Sequence, residues 1–290
     1  MKYFLTRSTE YLSKTLKKNK IKIEKIEYAN FADGEKSYRL IDELDDGDVI
    51  LIGSVTPNPE SLFELLAIAD LLKTNGPKNL KLVIPYLGYA RQDRPAQKGE
   101  GSTGIMVAKI IKSLEPTAIE VLEPHSPLIF QALGKQAKFI DAVPLFVKAL
   151  IKTPIDIIIA PDKGAVERAT RLVKQLESKI ETGFIEKFRP QPNVAVARLL
   201  HGDVRGKNVL IFDDMIDTGG TIIQAVKLLK KHGAKQISLA ATHGIFSKNA
   251  RDRLIHLPIK EIFVTNSLPQ TKHNKIKILD ITPFIIEQLN

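Results

Sequence analysis

The chain has 290 residues, 43% hydrophobic and 26% charged, with 43 Lys and Arg against 33 Asp and Glu for a net charge of +10. That balance excludes intrinsic disorder, and the length suits two ordinary domains or one large one. Cysteine is absent, which excludes disulfides, thiolate metal sites and Cys nucleophiles. No apolar run reaches the ~18–20 residues of a membrane span. Residues 1–7 turn polar too early for a secretion signal. The expectation is a water-soluble cytoplasmic protein with no membrane partner.

Taken in chain order, Lys14, Lys17 and Lys18 sit beside Leu12 and Leu16 at the spacing of a solvated helix face. Apolar runs follow at 49–52, 80–84, 118–122, 156–160, 208–212, 236–240 and 261–265. Each is bounded by turn residues and reads as a buried parallel strand. Between them, 60–74, 102–114, 144–151, 165–177 and 221–231 carry apolar residues at helical spacing. Alternating strands and helices predict an α/β fold with right-handed crossovers. Residues 49–69 echo 156–176, and 80–94 echo 208–221, which suggests two similar domains with a boundary near residue 142. The excess of positive charge favours anionic partners. Because Lys and Arg are scattered, with no basic tail, phosphorylated small molecules are expected rather than nucleic acid.

Residues 209–221 carry the densest chemistry. An apolar strand is expected to end at Phe212, so that Asp213 and Asp214 stand at its carboxyl end, where ligands bind in open α/β sheets. Two carboxylates there could accept hydrogen bonds from vicinal sugar hydroxyls or help hold a hydrated divalent cation. Asp217, Thr218, Gly219, Gly220 and Thr221 then lead straight into a helical pattern. Paired glycines, two hydroxyls and the positive end of a helix make a phosphate cradle, although neither a P-loop nor a GxGxxG motif is present.

The run 213–221 resembles the phosphoribosyl pyrophosphate (PRPP) motif of type I phosphoribosyltransferases, which PRPP synthetases share. Other segments resemble the synthetases in particular: Phe31-Ala-Asp-Gly-Glu35, Pro85-Tyr-Leu-Gly-Tyr-Ala-Arg-Gln-Asp-Arg94, Glu123-Pro-His125, Pro161-Asp-Lys-Gly164, Thr242-His-Gly-Ile-Phe246 and Val264-Thr-Asn266. They occur in order from about residue 31 to 266. Simple phosphoribosyltransferases lack the first half.

The resemblance implies two type I phosphoribosyltransferase-like domains with mainly parallel sheets, related by a pseudo-twofold axis, at 1–142 and 143–290. The first would serve ATP and the oligomer contacts, and the second ribose 5-phosphate. The last helix, 280–289, would pack back on the first domain. The implied reaction is ribose 5-phosphate plus ATP giving PRPP and AMP.

Residue by residue, the resemblance assigns Phe31, Asp33, Gly34 and Glu35 to ATP, by adenine stacking and acceptance of its amino group. This segment would come from a neighbouring subunit, so a homo-oligomer, dimer to hexamer, is expected. Arg91 and Gln92 would also contact ATP. His125 and Asp162 would be Mg²⁺ ligands. Asp217, Thr218, Gly219, Gly220 and Thr221 would hold the 5-phosphate, Asp213 the ribose hydroxyls, and Asp214 ribose or metal. Lys187 and Arg189 match a Lys-x-Arg at the base of a catalytic loop, where they would stabilise charge on the transferring phosphates, with Arg189 also at ribose 5-phosphate. His243 would shape a loop. Three departures from the family pattern are Glu123 in place of Asp, the divergent stretch 95–103, and Pro190 and Pro192 after Arg189. A silent regulatory relative would be expected to lose the cradle or the loop cations, and both are present.

Overall fold

β1 (Lys2–Leu5) is followed by a 3₁₀ turn at Arg7–Leu12, by α1 (Ser13–Lys18), and by a hairpin of β2 (Ile26–Asn30) and β3 (Lys36–Leu40). Then come β4 (Asp48–Ile52), α2 (Pro59–Thr74), β5 (Asn79–Ile84), α3 (Thr103–Ser113), β6 (Ala118–Leu122), α4 (Pro127–Leu133) and β7 (Ala137–Ile140). This computed structural model describes residues 1–176, 179–188 and 197–289. The chain divides into two units, Met1–Asp141 with Thr282–Asn290, and Ala142–Ile281.

In the first unit the sheet order is β1-β4-β5-β6-β7, all parallel. Helices cover it, so its strands read as unbroken apolar runs rather than alternating ones. Val49, Ile50, Leu51 and Ile52 of β4 are all buried. α2 starts where it does for two reasons. The Asn58 side chain accepts the Glu60 N–H at 3.1 Å, and Pro59 supplies a preset φ at the first helical position. Its Leu65, Ile68 and Leu72 pack into the core, each contributing roughly 1.5–3 kcal/mol.

The hairpin β2–β3 forms a separate two-stranded sheet. The sequence reading contains no strand here. Only Ile26, Tyr38 and Leu40 turn partly toward the core, so no apolar run betrays it.

The second unit contains α5 (Val143–Leu150), β8 (Ile157–Ala160), a 3₁₀ turn at Lys163–Ala165, α6 (Val166–Leu176), β9 (Glu181–Phe188), β10 (Ala197–His201), β11 (Asn208–Ile216), α7 (Gly220–Lys231), β12 (Gln236–Gly244), α8 (Ala250–Ile255), β13 (Ile262–Thr265) and β14 (Ile276–Leu279). Its sheet order is β10-β9-β8-β11-β12-β13-β14, parallel except for the antiparallel β9–β10 pair. α9 (Thr282–Leu289) belongs with the first unit, where it touches α1.

Two strands are longer than their apolar runs. β11 continues to Ile216 because Asp213, Met215 and Ile216 stay paired with Ala241, His243 and Gly244 of β12. Asp213 and Asp214 therefore lie inside a strand, not beyond its end at Phe212. His243 likewise stands in β12 rather than in a following loop. The backbone ladder holds these polar residues in extended form, which an apolar-run reading cannot see.

Candidate functional site

In the first unit, three loops gather residues singled out from the sequence. The hairpin tip is a tight turn: the Phe31 N–H donates to Glu35 O at 2.9 Å, and the Gly34 N–H to Phe31 O at 2.9 Å. Gly34 has φ +95°, a conformation that favours glycine. The Asp33 carboxylate accepts the Glu35 N–H at 3.0 Å. The turn leaves Phe31 60% exposed, an aromatic face offered to solvent.

The loop after β5 is buried behind and open in front. Tyr86, Leu87 and Ala90 are buried, while Arg91 and Gln92 are exposed. Tyr89 takes φ +63°, a strained value for a non-glycine residue. The Gln92 backbone bridges this strained turn to α3: its N–H donates to Tyr89 O at 2.8 Å, and its carbonyl accepts the Gly104 N–H at 3.0 Å. The Asp93 carboxylate accepts Ser126 Oγ–H at 2.6 Å and Arg94 Nε–H at 3.3 Å. Those hydrogen bonds, Arg94 first, hold the Asp93 carboxyl below the usual range. Ser126 also caps α4, accepting the Leu128 N–H at 3.2 Å. One serine thus ties the Arg91–Gln92 loop to the His125 loop. His125 is exposed, whereas Glu123 is buried with φ +41°. The carboxylate that departs from the family pattern therefore points into protein rather than into solvent.

In the second unit, Lys187 is the meeting point. Its ammonium lies 3.3 Å from Asp162 Oδ2 and 3.5 Å from Thr221 Oγ1. Asp162 is positioned by the 3₁₀ turn that it caps, its Oδ1 accepting the Gly164 N–H at 3.1 Å. The neighbouring residues cross-pair: Lys163 forms an ion pair with Glu186, which also meets His201 Nε2 at 2.9 Å. Lys163 and then His201 keep the Glu186 carboxyl below its usual range. The His201 ring stacks on Phe184 at 4.3 Å. Glycine at 183 lets β10 come this close, since a Cβ there would lie 2.3 Å from His201 O. Adjacent residues of a strand point to opposite faces. Glu186 and Lys187 therefore clasp Lys163 and Asp162 from the two sides of β9.

Beside this cluster, the Asp213 carboxylate accepts the Asp214 N–H at 2.9 Å, and Arg168 of α6 approaches it to 4.0 Å. Burial, together with the Asp214 carboxyl, pushes the Asp213 carboxyl well above its usual range, more than Arg168 offsets. Next along the chain, Gly219 adopts φ +74° as the residue before α7, and its carbonyl accepts the Ile223 N–H at 2.8 Å. The first turn of α7 then presents N–H groups that have no intrahelical partner. A Cβ at Gly219 would also crowd the Leu254 side chain, at 3.3 Å.

His243 is fully withdrawn from solvent, its Nδ1 2.8 Å from Ser267 Oγ, and Thr265 Oγ–H donates to Thr242 O at 2.7 Å. These polar bonds surround a register shift where β13 meets β12 between Ala241 and His243. They give His243 a structural place in the sheet.

The fold thus brings Asp162, Lys187 and Thr221 together, and sets Asp213 against Asp214. Arg189, Pro190 and Pro192 lie outside the described residues. Sequence reasoning missed Arg168, Ser126 and the Lys163–Glu186–His201 chain. Arg168 had one faint signal, its place in the first turn of the helix that follows the Pro-Asp-Lys-Gly run.

Among the described residues no three His, Asp or Glu side chains gather into a metal cage. Mg²⁺ needs none when one or two protein groups and substrate phosphates complete its shell. The Asp162 carboxylate suits that kind of binding: Oδ1 accepts the Gly164 N–H, and Oδ2 meets the Lys187 ammonium at 3.3 Å.

Known proteins match this chain along its length. Residues 1–114 match the family model of the N-terminal domain of ribose phosphate pyrophosphokinase, and residues 131–274 match that of the phosphoribosyl transferase domain. A ribose-phosphate pyrophosphokinase of Sulfurisphaera tokodaii is 34% identical over 284 residues, 97% of this chain and 96% of its own. One from Pyrococcus furiosus is 37% identical over 263 residues, 90% and 92% of the two chains. The crystal structure of phosphoribosylpyrophosphate synthetase from Mycobacterium smegmatis superposes with a TM-score of 0.90 at 29% identity, covering 99% of this chain and 97% of that one. No helix among the described residues is long and apolar enough to cross a membrane.

Proposed function

Because the chain belongs to the ribose-phosphate pyrophosphokinase family, we propose that its loops divide the work of one reaction, the transfer of the β,γ-pyrophosphoryl group of ATP to the anomeric hydroxyl of ribose 5-phosphate. The sugar oxygen bonds to the β-phosphorus as that atom's bond to the α,β-bridging oxygen breaks. AMP leaves and the hydroxyl proton is lost. This chemistry needs alignment and charge neutralisation more than covalent catalysis.

The observation that carries the assignment is the Lys187 ammonium, within 3.3 Å of Asp162 and 3.5 Å of Thr221. A cation there reaches from a carboxylate suited to metal to the mouth of an anion cradle. In this reading Asp217, Thr218, Gly219, Gly220 and Thr221 hold the 5-phosphate with hydroxyls and backbone N–H groups. Asp213 accepts the ribose hydroxyls, supported by Asp214. Lys187, with Arg189, meets charge developing on the moving phosphates. Phe31 stacks on adenine, Asp33 and Glu35 accept from its amino group, and Gly34 lets the turn present all three. Arg91 and Gln92 bind the phosphate chain, for which a guanidinium is well shaped. Asp162 of the second unit and His125 of the first are each a protein group that would hold Mg²⁺, and Mg²⁺ would supply charge neutralisation on the ATP phosphates. The exposed Phe31 turn suits a site completed by a neighbouring subunit, so the working form is a homo-oligomer, and the setting is the cytoplasm.

The test is AMP formation from Mg-ATP with and without ribose 5-phosphate, read by phosphorus NMR for PRPP, in the wild type and Lys187→Ala. Sugar-dependent AMP and PRPP, lost in the variant, support the reading. ADP in place of AMP would mean transfer of a single phosphoryl group and would refute it.

A further inference from the structure

The hairpin that offers Phe31, Asp33 and Glu35 is a two-stranded ladder, with no third strand beside it among the described residues. Such a ribbon is marginal in water unless something packs on it. Its strands are mostly exposed, and Glu27–Arg39 is a solvated ion pair that fixes little. What holds the ribbon lies on its inner face. Tyr28 and Tyr38 stand opposite each other in the ladder, their rings edge to face at 5.5 Å. Over the Tyr28 ring, 5.1 Å from its centre, sits the Arg7 guanidinium.

Arg7 is itself fixed from below. Glu64, in the middle of α2, is buried, with only 3% of its surface exposed. One carboxylate oxygen accepts the Arg7 backbone N–H at 2.5 Å, and the other accepts Arg7 Nε–H at 2.7 Å. A charge so far from water is tolerated only when paired and hydrogen-bonded, and this one has both bonds from a single residue. The guanidinium thus has one edge on α2 and one face on the hairpin. Withdrawal from water, then Glu64, raises the Tyr28 and Tyr38 hydroxyls above the usual tyrosine range, and the Arg7 guanidinium offsets part of this.

We infer that Arg7, set by Glu64, is a positioning residue for ATP: it clamps the β2–β3 hairpin to α2 so that the turn at 31–35 is already formed when adenine arrives. The inference rests on the proposed role of Phe31, Asp33 and Glu35. Arg7 touches no substrate. It acts by lowering the conformational freedom that the hairpin would otherwise lose on binding.

The experiment is steady-state kinetics on the full-length protein, with KM measured separately for ATP and ribose 5-phosphate, alongside amide hydrogen exchange of residues 26–40. Arg7→Ala/Glu64→Gln removes the guanidinium without stranding a buried carboxylate. It should raise the ATP KM about tenfold, with kcat at saturation and the ribose 5-phosphate KM each within about twofold of wild type. Hairpin amides should exchange faster, while those of β4 and β5 do not change. Arg7→Lys, which keeps the charge, should recover part of the loss. Tyr28→Leu removes the ring, leaves the Arg7–Glu64 pair in place, and should raise the ATP KM about threefold. It decides the matter if the double variant does not fold. An unchanged ATP KM in these variants, with a raised one in Phe31→Ala, would overturn the clamp and leave the ATP site standing. An unchanged ATP KM in Phe31→Ala as well would refute the ATP assignment itself. An equal fall of kcat with a rise in both KM values would mean that Arg7 serves only the stability of the unit.

Discussion

The Lys187 cluster and the Phe31 hairpin are built on opposite principles. Around Lys187 several charges are answered within the same unit: Asp162 by Lys187, Glu186 by Lys163, Asp213 in part by Arg168. Strands β8, β9 and β11 are neighbours in one sheet, so these side chains are held by continuous backbone ladders. At the hairpin the ladder is only two strands wide, and its chemical groups face solvent. A phosphate dianion needs dipoles fixed before it arrives. An adenine ring needs a flat surface and a few acceptors, which a tethered ribbon can supply. Two carboxyls outside the hairpin are also set in opposite ways. Asp93 is held below its usual range by donors around it, and Asp213 is pushed above it by burial and a like charge.

The comparison breaks most sharply at Lys187. Lys187→Ala should lower kcat by roughly 10²–10³-fold, the cost of losing one charge-stabilising donor in a phosphoryl-transfer site. A tenfold or smaller effect would mean that the cluster merely braces the sheet. Gly219→Val comes next. A left-handed backbone costs a branched residue about 1–2 kcal/mol, and the new side chain would meet Leu254. A lowered melting temperature together with a higher ribose 5-phosphate KM is expected. Ser126→Ala should cost about 1 kcal/mol, typical of a lost helix cap, and should loosen Asp93 at the same time. Urea unfolding would read the first effect and the ATP KM the second.

The smallest effect is a pH dependence. Asp213 binds its proton more tightly folded than unfolded. Its contribution to stability is therefore present at low pH and lost as pH rises through the raised value. Asp213→Asn removes that loss, so the variant should gain on the wild type in thermal midpoint as pH rises from the ordinary carboxylate range toward neutrality. Asp93 runs the other way, its contribution present above the ordinary value and lost as pH falls. Parallel melting curves for wild type and Asp213→Asn would contradict the burial of that carboxyl.

Much of this architecture is legible in the sequence because buried parallel strands announce themselves as apolar runs. β4, β5, β6, β8 and β11 begin within a residue of the expected positions. The hairpin, β9 and β10 are not legible in that way. One face of each meets solvent, and polar residues such as Glu27, Arg39, Glu186 and Lys187 interrupt any pattern. Asp213 and His243 were expected just past their strands because hydropathy stops before the hydrogen-bond ladder does. The tight turn into α7 at Thr218-Gly219-Gly220-Thr221 was legible, since paired glycines before a helical pattern mark a close strand-to-helix turn. The long-range pairs were not legible: Lys163–Glu186 in the second unit and Arg7–Glu64 in the first join residues far apart in the chain, and no local spacing encodes them.

The division of labour is tested most directly by a single crossed set of constants: KM for ATP and for ribose 5-phosphate in Phe31→Ala and in Thr221→Ala. The account predicts a crossing pattern. Phe31→Ala should raise the ATP value about tenfold and leave the sugar value within about twofold, while Thr221→Ala does the reverse. Both variants raising both constants alike would contradict it.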